Sequence, residues 1–203
     1  LWDAYRMNRI FVYLSLFSFF ICVFLGLLVY FRDVRYKYDK KLAKIFVFLC
    51  FSLAFFWAII EFGYRHAINY EIALFWLKLN VFWYFVVALL LHFILLLTEN
   101  YKLLKKKITY LLIYLPAVIF FLFDINTNML LTKPIEKFWG WTYGIPEYPV
   151  IYSISTTWAA FSGVFCVYIV LDYYLNMNNQ SKKRNIKYTM IGLLIPMAIS
   201  LNT

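Results

Sequence analysis

The sequence predicts an all-α membrane protein: a polytopic helical bundle with five full spans, a sixth span that the sequence ends within, and an N-terminus outside. Three observations carry that prediction. Hydrophobic residues make up 65% of the 203 residues and charged residues 15%, against about 25% charged in a soluble domain. Such a chain cannot hide its apolar surface in a core of its own. The apolar residues also fall in continuous runs, not in the alternation of barrel strands. Finally, the basic residues crowd into alternate connections. The same composition excludes a disordered or collagen-like chain, and three cysteines in a chain this long exclude a disulfide scaffold.

A span needs about 20 predominantly apolar residues. The first run covers residues 10–31. It exceeds a signal-peptide core of roughly 7–15 residues, so it reads as a true span and not a cleaved leader. The second and third runs cover 42–60 and 72–98. The fourth, 108–123, is short and should borrow residues from its flanks. The fifth covers 150–171, and the sixth begins near Tyr188. From there to Thr203 a helix crosses only about 24 Å of a core about 30 Å thick. The expected domain is one transmembrane unit over residues 1–203, truncated, without a seventh helix or a cytoplasmic output domain. Pro116 and Pro196 fall in or near spans, where proline marks a kink. The longest connection, 124–149, alternates turn residues with Phe138, Trp139, Trp141, Tyr143 and Tyr148. That pattern predicts a short hairpin or a segment lying in the interface.

Orientation follows from the cations. The connection after the first span carries Arg32, Arg35, Lys37, Lys40, Lys41 and Lys44. The connection after the third carries Lys102, Lys105, Lys106 and Lys107, and that after the fifth Lys182, Lys183, Arg184 and Lys187. The opposite side has only Arg6, Arg9, Arg65, Lys133 and Lys137, with Lys78 inside the third span. Fourteen cations against five place the lysine-rich connections in the cytoplasm. The net charge of +10 then reports topology and contact with anionic lipid at the inner loops, not nucleic acid.

Polar groups inside a bilayer are costly, so each one is a candidate for function. Glu61 and Arg65, at the outer end of the second span, are spaced to pair along one helix face. Lys78 lies about 9 Å into the third span, within reach of a contact with Glu61 across the turn, and Asn80 follows it. Together with Trp139 and Trp141 they outline an expected binding site for a small ligand under the outer surface. The blander reading is an interfacial ion pair, a lysine snorkelling outward and an aromatic belt. Ser155, Ala159 and Gly163 recur every fourth residue in the fifth span, a close-packing face within the bundle or between protomers. His92 reads as a packed, hydrogen-bonded side chain. Cys22, Cys50 and Cys166 lie in apolar spans and read as small hydrophobes. No metal-ligand spacing, phosphate loop, triad or cofactor motif is present in the sequence. The segment is therefore expected not to be an enzyme and to hold no cofactor or metal.

Several landmarks resemble the seven-helix membrane region at the N-terminus of many bacterial and archaeal sensor histidine kinases and some cyclic-dinucleotide cyclases. The aromatic-Trp-x-Lys element that opens the family's third helix corresponds to Phe75, Trp76 and Lys78. Its threonine followed by a basic turn corresponds to Thr98 through Lys107, and its early proline in the next helix to Pro116. Asn126, Asn128, Trp139 and Trp141 match its outer loop, and Gly192, Leu193 and Pro196 its sixth helix. The histidine common after the loop asparagine is absent, as are the seventh helix and the output module. The resemblance implies a sensor that passes an extracellular or membrane cue to a cytoplasmic output domain, in a parent that is a histidine kinase or a related receptor. A dimeric output would give the small-residue face a role between two copies. A small transporter or channel would need a polar path, hinted at by Lys78, Asn80, His92 and the fifth-span hydroxyls. An intramembrane enzyme would need paired carboxylates, and only Glu61 stands near a span with a basic neighbour.

Overall fold

The computed structural model describes residues 2–36, 40–137, 140–177 and 186–187. Helix α1 is Trp2–Tyr36, with side chains described from Tyr13 to Arg32. The sixth span, with Gly192, Leu193 and Pro196, lies outside the described residues, as do Trp139, Lys37, Lys182, Lys183 and Arg184.

Among the described residues, five helices are long and apolar enough to cross a membrane. After α1 come α2 (Lys40–Arg65) and α3 (Tyr70–Leu97). A single turn, α4 (Tyr101–Leu104), leads to α5 (Lys107–Thr127). A hairpin of β1 (Thr132–Lys137) and β2 (Gly140–Pro146) then precedes α6 (Pro149–Asn176). The fourth span takes residues from both flanks, and the long connection forms a hairpin, both as its composition implied.

The helix ends are set by local chemistry. The Asn69 side chain caps α3 by accepting from the Ile72 amide at 2.9 Å. At the other end Glu99 takes a left-handed conformation (φ 56°). The Asn100 amide donates to the Leu95 carbonyl and the Glu99 amide to that of Leu96, closing a Schellman turn. α5 ends at Asn128, also left-handed (φ 53°), and the Asp124 carboxylate accepts from the Leu130 amide at 3.0 Å. Pro149 occupies the first turn of α6, where its missing amide proton costs nothing.

α3 is the axis of the bundle. It packs against α2, α5 and α6, whereas α1 leans on α2. Its apolar window is 39% buried, against 11% for α1 and for α5. Val81, Tyr84, Ala88, Ile94, Leu95 and Leu96 of α3 share one core with Ile113 and Ala117 of α5 and Cys166, Ile169 and Val170 of α6. The outward faces of α1, α5 and α6 stay apolar (Phe17, Leu112 and Phe161 are 62%, 67% and 69% exposed), which suits lipid as solvent.

Two helices depart from α geometry at the same level. α2 makes a π turn over Ala54–Ala58, and α3 makes a 3₁₀ turn over Asn80–Phe82. The two turns touch. Phe56 stacks on Phe82 there, with ring centroids 4.8 Å apart and planes 17° from parallel. Phe82 in turn meets Phe121 of α5 at 5.2 Å. Irregular turns inside long helices recur at functional sites and hinges.

Candidate functional site

The hairpin caps one end of the bundle, over the end of α2 and the start of α3. The last turns of α2 build the floor. One carboxylate, that of Glu61, takes three donors. Arg65 gives Nε at 3.0 Å and Nη2 at 2.6 Å to Oε1, and the Trp57 indole gives Nε1 at 3.2 Å to Oε2. The expected i,i+4 pair is therefore formed. The Arg65 and Glu61 side chains are 18% and 23% exposed, enough burial to strengthen the pair beyond a surface salt bridge. The Arg65 guanidinium also sits 5.8 Å from the centroid of the Tyr64 ring.

Tyr64, 2% exposed, donates its hydroxyl to that of Tyr143 in β2 at 3.0 Å. Tyr143 as a residue is 45% exposed, but its hydroxyl meets this buried partner. Burial pushes its phenol above the usual tyrosine range, the Tyr64 hydrogen bond works in the opposite direction, and the nearby Glu61 charge adds to the rise. Trp141 meets the Tyr70 ring edge-on at 6.0 Å, tying the hairpin to the start of α3. Two glycines allow this fit. A Cβ on Gly63 would overlap the Trp76 indole, so α2 and α3 approach there only without a side chain. Gly140, at φ 115°, lies against the Arg65 carbonyl oxygen, so the hairpin rests directly on the α2 backbone.

The Glu61–Lys78 contact that the spacing allowed is not formed, and Lys78 is exposed as in the blander reading. Ala73 and Leu77 are the buried positions of that stretch of α3 and Trp76 packs on Gly63, which turns Lys78 outward. Lys78 is exposed and has no ion-pair partner among the described residues. Asn80 is half-buried at the 3₁₀ turn, and its side chain makes no hydrogen bond to Glu61 or Arg65. Of the expected ligand residues, the fold thus brings together Glu61, Arg65 and, through Tyr70 and Gly140, the strand that carries Trp141.

Ser155 of the small-residue row is fully buried. It accepts from the Tyr84 hydroxyl of α3 at 3.3 Å and donates to the Tyr152 carbonyl at 2.8 Å. Ala159 and Gly163 are half-buried beside it. His92 is buried, with Nδ1 2.8 Å from the Tyr114 hydroxyl of α5.

Sequence reasoning missed Tyr64, Gly63 and the paired irregular turns, and it held Tyr143 only as a loop aromatic and Trp76 only as a family landmark. The available signal was Gly140 and Gly144 set among aromatics, which marks close backbone approach.

Five apolar helices with α3 at their centre, closed at one end by a polar and aromatic cap, define a polytopic helical membrane domain. The family described as the N-terminal 7TM region of histidine kinase matches residues 14–203, and the chain belongs to that family. The region is a sensor input domain, not itself a catalytic one. No curated protein and no solved structure matches the chain.

Proposed function

We propose that this domain lies in the cell membrane with the hairpin end outside and the lysine-rich end in the cytoplasm, and that it reports a cue at the hairpin to an output domain carried by a parent histidine kinase. The family supports the sensor role, and the imbalance of cations supports the orientation. The observation that carries the reading is the seating of the hairpin. Its two strands rest on α2 and α3, the helices whose irregular turns meet one level further in. A cue that binds differently to the seated and lifted hairpin shifts the balance between two packings of these helices. α3 carries that shift along the axis of the bundle to its other end.

The test uses the full-length parent in nanodiscs, with its native cysteines replaced. Cysteines at Tyr70 and Trp141 are bridged by a cleavable, flexible bis-maleimide. Bridging is expected to hold autophosphorylation at one level whatever the stimulus, and cleavage to release it. Unchanged autophosphorylation on bridging and on cleavage would overturn the reading. The orientation is checked separately with a Lys106→Cys variant in intact cells. An impermeant thiol reagent should leave it unlabelled, and labelling would reverse the assigned sides.

A further inference from the structure

Two of the described spanning helices begin at the lysine-rich end, and both begin against the usual electrostatics. A helix N-terminus carries partial positive charge and favours acids in its first turn. α2 instead opens with Lys40, Lys41 and Lys44, and α5 opens with Lys107 directly after Lys102, Lys105 and Lys106. Neither first turn holds an acid, and no side chain caps α5. Lys40, Lys44, Lys102, Lys105, Lys106 and Lys107 are all exposed, and none forms an ion pair among the described residues.

Both starts adjoin the main apolar core. Leu42 and Ile45 of α2 and Leu104 of α4 belong to one apolar cluster, which also holds Ile186. Around the lysines the surface turns apolar: Tyr101, Leu103 and Ile108 are 43%, 40% and 53% exposed. The ammonium groups therefore stand where the apolar spans begin, at the depth of lipid headgroups, with side chains beside them suited to the upper acyl region.

We propose that this face, centred on Lys102, Lys105, Lys106 and Lys107, is a docking surface for the phosphate groups of anionic phospholipids. Charge complementarity selects the anion. The flanking apolar side chains select a lipid over a soluble phosphate or an acidic protein. Bound phosphate offsets the repulsion among the lysines and the positive end of α5 together. The proposal needs only that the domain sits in a bilayer, so it stands or falls independently of the cue and of the orientation.

The test places the chain in nanodiscs of mixed phosphatidylglycerol and phosphatidylcholine and counts retained lipids by native mass spectrometry. The wild type should enrich phosphatidylglycerol. Each lysine at the headgroups is worth about fivefold in affinity, so the variant K102Q/K105Q/K106Q/K107Q should lose at least roughly tenfold of the preference. The four lysine-to-arginine changes should keep it, which separates charge from folding. Equal retention of the two lipids by the wild type, or an undiminished preference in the glutamine variant, would overturn the proposal. Loss of the preference on adding inorganic phosphate would do the same, by showing a site for the free anion.

Discussion

Replacing Gly140 by alanine strikes the point where the hairpin rests on the bundle. The residue stands at φ 115°, a region that L side chains rarely adopt, and its new Cβ would run into the Arg65 carbonyl oxygen. Backbone strain of this kind costs about 1–3 kcal/mol. Arg65 is the last residue of its helix, so moving its carbonyl aside would distort the helix end, and the overlap is relieved by lifting the hairpin. Lifting loses the Tyr64–Tyr143 hydrogen bond, worth about 1 kcal/mol, and the Tyr70–Trp141 edge contact, worth about 0.5–1.5 kcal/mol. The wild type loses the same contacts on lifting, so they set its resting balance and not the change; the strain and the overlap set the change, and a shift of about 3 kcal/mol is expected. That is roughly a hundredfold change in the equilibrium between seated and lifted hairpin. Amide hydrogen exchange over residues 132–146 in detergent or nanodiscs reads it directly. Exchange there should rise by about that factor while α3 and α6 keep their protection. Exchange over the hairpin within threefold of wild type would refute the reasoning, because the seat would then not depend on the missing side chain.

Two further perturbations test other parts of the same frame. Ser155→Leu forces a large side chain into a fully buried site against Tyr84; it should destabilise the chain by about 1–3 kcal/mol, measured as a lower midpoint of thermal unfolding in detergent, whereas the same change at exposed Ser153 should not. Tyr143 gives a pH dependence. Its folded pKa is raised, so its contribution is complete below an unfolded pKa of about 10 and is lost as pH rises beyond that. The wild type should lose more stability between about pH 9 and pH 11 than Tyr143→Phe does, and equal losses would remove Tyr143 from the account.

The five described spans were legible in the sequence because a bilayer demands long apolar runs and little else resembles them. The fourth span gained its length from Lys107 and from residues 124–127, which a hydrophobicity count discards but a helix keeps. The Glu61–Arg65 pair was legible because it is local, set by one turn of one helix. Ser155 was legible for the same reason, as a small residue within a periodic row. Lys78 was not. Sequence spacing gives its depth, but the face it occupies is decided by Trp76 settling on Gly63 of another helix. Tyr64 and Tyr143 are 79 residues apart, and no local pattern joins their hydroxyls. The hairpin itself could be inferred from its glycines and aromatics, whereas its seat on the Arg65 backbone depends on tertiary fit.

The π turn of α2 holds more residues per turn than the helix on either side. Each residue of an α-helix advances the chain by about 100° around its axis. If the same residues wound as an unbroken α-helix, everything beyond this stretch would be rotated by about a quarter of a circle. Tyr64 would swing away from the hairpin and Gly63 away from the indole it accommodates. The irregular turn is thus a phase adjuster: it lets α2 present one side to α1 and α3 in its first half and still deliver a different side to the cap.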